Sequence, residues 1–197
     1  TGLDTNSGTI TRIDQIETGW SAVDIVRGLA RSEENHALNG LEVIQEFDDA
    51  GNLTGQRLIV ANGGNANNGA PSNNFGGQQE TAYSAAILEI DLDQLNAMET
   101  LTDPLSGRQY IYDVPTLDDP TRDGNPDEND PFGGNDGLNG GKIDPDGPVQ
   151  IYSAGYRNSY DVEVTEDGRV WTYDNGSNNS WGGRPIGEAG DEGGTVD

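Results

Sequence analysis

Polar and apolar positions alternate, or β-branched residues cluster, in nine short runs: "TITRID" (9–14), "AVDIVRG" (22–28), "LEVIQEF" (41–47), "QRLIVAN" (56–62), "AAILEIDL" (85–92), "RQYIYDV" (108–114), "VQIYSAG" (149–155), "DVEVT" (161–165) and "RVWTYD" (169–174). A period of two bounded by Gly, Asn and Asp predicts antiparallel strands that turn one face toward a core. Two hairpins follow from local sequence. One joins its strands through the polar stretch inside "EFDDAGNLTGQRLIV", the other through Glu166-Asp167-Gly168, a short connection of the kind that closes paired strands. A single helix of about two turns is predicted in "DLDQLNAMETL", where Leu92, Leu95 and Met98 recur at helical spacing and form a packing face.

Two long polar segments interrupt the strands: 62–80, rich in Asn and Gly, and 115–148, acidic and rich in turn residues. Loops of this length are either functional or disordered. Their residue types favour function, because Asn and Asp supply oxygen ligands and Gly lets carbonyls converge on an ion. The last stretch, "GEAGDEGGTVD" (187–197), offers no apolar anchor and is predicted as an acidic Gly-rich tail or linker. The expectation is an all-β chain in which residues 1–186 belong to one domain, with short antiparallel strands arranged as a sandwich or a propeller.

Composition narrows the function classes. Only 31% of the 197 residues are hydrophobic, against 29 Gly and 9 Pro, so the core is small and turns take a large share of the chain. The 35 acidic and 10 basic residues give a formal charge of -25, which repels nucleic-acid phosphates and anionic membrane surfaces. No nucleic-acid partner is therefore expected. No run approaches the roughly 18 apolar residues of a membrane span, so no membrane insertion is expected either. Lys142 is the single lysine; such acidity suits a protein of saline surroundings or a surface that binds calcium. With no cysteine, disulfides, thiolate nucleophiles and cysteine-ligated metals are excluded. The opening "TGLDTNSG" has no basic-then-apolar signal pattern and no initiating Met, and reads as a processed or excised piece.

Three places carry candidate chemistry. His36, the only histidine, precedes a strand, where a neutral imidazole can serve as a general base or can be a turn histidine bonded to Glu33 or Glu34. Asp123, Asn125 and Asp127 alternate like the opening ligands of a calcium loop. Glu128 stands where an EF-hand needs its turn glycine, and Gly134 where it needs its bidentate glutamate, so the candidate is a looser site or a solvated acidic loop. Asp174, Asn175 and Gly176, after the last strand, can ligate a hard cation or form an Asx-type turn. Asn-x-Ser/Thr sequons occur at Asn52, Asn175 and Asn178, relevant only in a glycosylating secretory pathway.

Taken in order, "GLARSEENHALNGLEV", "RLIVANGGNANNG" and "IYSAGYRNSYDVEVTEDGRVWTYDNGSNNSWGG" resemble segments of the glucose/sorbosone dehydrogenase family, six-bladed β-propellers that include soluble quinoprotein sugar dehydrogenases. The match spans roughly residues 25–185, and its last segment is the most specific. The resemblance implies an incomplete β-propeller, extracellular or periplasmic, that takes a sugar or polysaccharide ligand. It implies His36 as the base for a sugar hydroxyl, Arg157 and Asn158 as contacts to pyrroloquinoline quinone and substrate, and calcium near Asp174, Asn175 and Gly176. Ser159 stands where the family usually has proline, and the later blades that add basic cofactor contacts are missing. A closed six-bladed ring needs about 240 residues at roughly 40 per blade, so the remaining blades, or other chains, are expected partners. The alternative is a non-catalytic extracellular carbohydrate-binding or adhesion module, toward which the long Asn/Gly loops and the acidity point.

Overall fold

The computed structural model describes residues 6–32, 36–67, 69, 80–116 and 140–178. Ten strands and one short helix follow in the order β1 (Gly8–Ile16), β2 (Gly19–Leu29), β3 (Leu38–Phe47), β4 (Leu53–Asn62), β5 (Ala86–Asp91), α1 (Leu92–Ala97), β6 (Leu101–Thr102), β7 (Gln109–Asp113), β8 (Val149–Ala154), β9 (Ser159–Val164) and β10 (Val170–Asp174). All nine predicted strands are present. The helix is shorter than its sequence pattern: Asp91 caps it by accepting the Gln94 N–H, Leu95 is buried, and Met98 lies past its end and is exposed.

The strands form two four-stranded sheets and a two-stranded ribbon, none of them closed among the described residues. The order β3-β4-β5-β8 is antiparallel throughout. The order β1-β2-β7-β6 contains a parallel pair, β2 with β7, so this sheet collects strands from both sides of β3–β5 in the sequence. Serial antiparallel blades would not require that return. The coarse expectation of an all-β fold made of several antiparallel sheets therefore holds, and β2–β7 is the pairing that local sequence did not announce.

The two predicted hairpins share one build. In each, three residues follow the first strand's closing position: Asp49-Ala50-Gly51 in one and Glu166-Asp167-Gly168 in the other. The Asp48 and Thr165 N–H groups donate to the carbonyls four residues ahead, and Gly51 and Gly168 donate back to the carbonyls of Asp48 and Thr165. Both glycines have positive φ, 82° and 80°, the left-handed position that a three-residue hairpin loop assigns to glycine.

Sheet β3-β4-β5-β8 is the middle layer. Leu58, Val60, Leu88 and Ile90 enter the larger core shared with Val26, Leu29 and Ile111 of the first sheet. The alternate residues Ile59, Ala61 and Ile87 meet Val162 of β9 in a second core. Burial on both faces explains the unbroken apolar runs "LIVA" and "AAIL", since a strand covered on one side only would alternate. The C-terminal ends of β3's partner β4 and of β10 thereby come to the same region, together with the turn 155–158.

Candidate functional site

Gly63 and Gly64 leave the end of β4 and are threaded between two other segments. The Gly63 N–H donates to the Ala37 carbonyl (3.0 Å), and the Gly64 N–H donates to the Arg157 carbonyl (2.7 Å). A Cβ on Gly63 would stand 2.7 Å from Asn158 Oδ1 and 2.8 Å from the His36 Cβ; one on Gly64 would stand 2.8 Å from Glu80 Oε1 and 3.1 Å from the Arg157 carbonyl oxygen. Backbone passage at this distance admits only glycine. The glycine pair thus brings the His36 segment and the Arg157 segment together.

Glu80 then shapes the loop. Its carboxylate accepts the N–H groups of Asn65 and Ala66, each at 2.8 Å, and the Ser84 hydroxyl at 2.7 Å. Asp174 does the same for the facing turn, accepting the N–H of Arg157 (2.9 Å) and of Asn158 (2.6 Å). Charge-assisted bonds to successive backbone donors are stronger than neutral ones and set a turn firmly. Between these clamps lies a cleft of about 350 Å³ lined by Asn67, Glu80, Tyr156, Arg157, Asp174 and Gly176, with Ala66 and Ala85 among its apolar contacts. That volume lies within the range of small-ligand sites.

The predicted residues are distributed around this cleft in different roles. Arg157 lines it, half-buried, with Nε–H donating to Asn67 Oδ1 (2.7 Å) and Nη1 to the Asn175 carbonyl (3.2 Å). Asn158 is buried and turns inward, its Oδ1 accepting from Asn39 Nδ2 (2.9 Å). His36 is 2% exposed and is not among the lining residues. Its backbone N–H donates to Ser32 Oγ (2.9 Å), and Nδ1 lies 3.0 Å from the Gly64 carbonyl oxygen. A carbonyl only accepts, so Nδ1 carries the proton in the neutral ring. Glu33 and Glu34, the alternative partners of His36, lie outside the described residues, as do Asp123, Asn125 and Asp127.

For the cation reading of 174–176, the described contacts supply other partners. Both Asp174 carboxylate oxygens accept N–H groups, and the Asn175 carbonyl faces the Arg157 guanidinium. Nor do three His, Cys, Asp or Glu side chains converge anywhere among the described residues. The charges that line the cleft, Arg157 against Glu80 and Asp174, do not fit a quinone that carries several carboxylates. Asn67 and Glu80, which hold the site, were not singled out in the sequence; the flagged segment 62–80 contains both, and nothing within it marked either residue.

Burial, and after it the Arg157 guanidinium, hold the His36 imidazole below its ordinary pKa; the Gly64 carbonyl and Asp174 act against them. In the unfolded chain the ring titrates near about 6.5. As pH falls below that value the unfolded state takes up the proton first, so stability declines until the lower folded-state pKa is reached and then levels off. With a single histidine in the chain, this decline belongs to His36. His36→Gln is expected to flatten it, as measured by urea midpoints between roughly pH 7.5 and 5; an unaltered slope would contradict the assignment.

No family model, no curated protein and no solved structure matches the chain. No helix among the described residues is long and apolar enough to cross a membrane.

Proposed function

We propose that the cleft binds a neutral carbohydrate or polyol, within an extracytoplasmic module built as an incomplete propeller of the sugar-dehydrogenase type. The observation that carries this reading is convergence: the segments around His36, Gly63-Gly64, Arg157 and Asp174, separated by up to more than a hundred residues, are bonded to one another around one cleft. These are the segments on which the family resemblance rests. The mixed lining supports a sugar, because Tyr156, Ala66 and Ala85 offer apolar surface beside the polar groups of Arg157 and Glu80. Calcium stabilisation is assigned to Asp123, Asn125 and Asp127, given the charge of -25 and the internal partners of Asp174 and Asn175. Further blades or other chains cover the open sheet edges, which would otherwise invite aggregation.

A second reading is quinone-dependent oxidation of the sugar in the complete protein, with His36 as base. Its support is that His36 and Arg157 are joined through Gly64, whose carbonyl accepts from the imidazole and whose N–H donates to the Arg157 carbonyl. Against it stand the burial of His36 and the charge balance of the cleft, which favour binding without turnover.

One experiment separates the two. The full-length protein is titrated with calcium, with and without pyrroloquinoline quinone, and followed by melting temperature and by dye reduction with a panel of neutral sugars. Sugar-raised melting without dye reduction is the expected result. Dye reduction that requires the quinone would establish the second reading, and an unchanged melting temperature after chelation would remove the calcium assignment.

A further inference from the structure

Asn67, which the sequence did not single out, is hydrogen-bonded to both Arg157 and the 177–178 segment. Its side chain is 1% exposed. Oδ1 accepts from Arg157 Nε–H (2.7 Å) and from the Asn178 N–H (2.9 Å), while Nδ2 donates to the Asn178 carbonyl (3.0 Å). Its own backbone carbonyl accepts the Ser177 hydroxyl (3.2 Å). The carboxamide thus does for residue 178 what a peptide group does in a strand pair: one acceptor and one donor meet the N–H and C=O of a single residue. The same oxygen also orients the guanidinium that lines the cleft.

We infer that Asn67 is the positioning residue of the cleft, fixing Arg157 and pinning the 175–178 segment across the opening before any ligand arrives. The reach of the side chain is set from behind, since Glu80 holds the adjoining Asn65 and Ala66 N–H groups. Arg157 is held from the other side by the Asn175 carbonyl, so guanidinium and segment form one unit that the carboxamide closes. Pre-organisation of this kind raises affinity by removing the ordering that binding would otherwise require. The sugar-binding consequence rests on the function proposed above; the positioning itself does not.

Chemistry at the side chain separates the roles. Asn67→Asp keeps the acceptor for Arg157 and for the Asn178 N–H and loses the donor to the Asn178 carbonyl; Asn67→Leu loses all three bonds. Hydrogen exchange by NMR reads the Arg157 Nε–H and the Asn178 N–H, and a glucose titration follows affinity. In Asn67→Leu both protons are expected to exchange faster, the Arg157 Nε–H about tenfold or more because its bond is charge-assisted and the Asn178 N–H about fivefold as the loss of one neutral bond implies. In Asn67→Asp the Arg157 proton keeps its protection. Glucose affinity falls about tenfold in the leucine variant. Wild-type exchange at both protons in folded Asn67→Leu, or lost Arg157 protection in Asn67→Asp, would overturn the inference; should the leucine variant not fold, the aspartate variant decides. Faster exchange in Asn67→Leu with no binding of glucose or of any other neutral mono- or disaccharide by the wild type would uphold the positioning and overturn the sugar reading.

Discussion

Gly63→Val is expected to lower the melting temperature by roughly 4–8 °C, the equivalent of about 2 kcal/mol in a chain of this size, and to abolish ligand binding in the cleft. The cause is contact. Its Cβ would stand 2.7 Å from Asn158 Oδ1, 2.8 Å from the His36 Cβ and 3.2 Å from the Ala37 nitrogen, and neither neighbouring side chain can retreat. His36 and Asn158 are both buried, and each is held by hydrogen bonds, to Gly64 and Asn39 respectively. The added methyl groups must therefore displace the Gly63 backbone, which breaks its N–H bond to Ala37 and the neighbouring bond from Gly64 to Arg157. Thermal melts and a sugar titration check this together. A variant that melts normally and binds normally would show that the three segments are not packed as described.

Arg27→Leu is expected to cost about 2–3 kcal/mol, because it removes a buried guanidinium from the half-buried Asp113 and the buried Asp103. Arg27 is 4% exposed and donates through Nε (3.0 Å) and Nη2 (2.8 Å) to Asp113 Oδ2, with Asp103 3.6 Å away and the Tyr110 ring under the guanidinium at 3.5 Å. These contacts tie β2 to β7, the parallel pairing that joins the two halves of the first sheet. The loss is specific to the uncompensated carboxylate, so Arg27→Leu combined with Asp113→Leu should recover much of the stability, as hydrophobic replacement of whole buried pairs often does. Denaturant unfolding of the single and double variants measures the difference. Since none of Arg27, Asp103, Tyr110 and Asp113 lines the cleft, sugar affinity of the folded fraction should be unchanged.

The strands were legible in the sequence because burial imposes a period on the residues that face it. β6 was not, since its two residues, Leu101 and Thr102, are too few to show one. The helix read as two turns because Met98 falls in register with Leu92 and Leu95, yet the chain leaves the helix at Met98 with extended dihedrals and the side chain goes to solvent. Strand order was not legible. β2 meets β7 across more than eighty residues, and the contacts that join them, Arg27 with Asp113 and Asp24 with Arg108 among them, are invisible without the fold.

The site was legible in part. Sequence reasoning named Arg157 and Asp174, which line the cleft, and His36 and Asn158, which are buried and do not line it. It left Asp174 and Asn175 between a cation site and an Asx-type turn; in the structure the Asp174 carboxylate accepts the Arg157 and Asn158 N–H groups and the Asn175 carbonyl accepts from the Arg157 guanidinium. Asx residues at a strand end look alike in sequence whether they ligate an ion or cap a distant turn, because the partner donors lie elsewhere in the chain. Asn67 and Glu80 escaped for the same reason. Their bonds join loops far apart in sequence, and such bonds leave no periodic trace.

An NMR titration of the isotopically labelled chain with neutral mono- and disaccharides reads the proposed carbohydrate site residue by residue. Saturable shifts confined to Gly64–Asn67, Tyr156–Arg157 and 174–178, and abolished by Arg157→Ala in a variant that still folds, are the predicted result. Saturable shifts centred elsewhere, or none with any sugar of the panel, would contradict it.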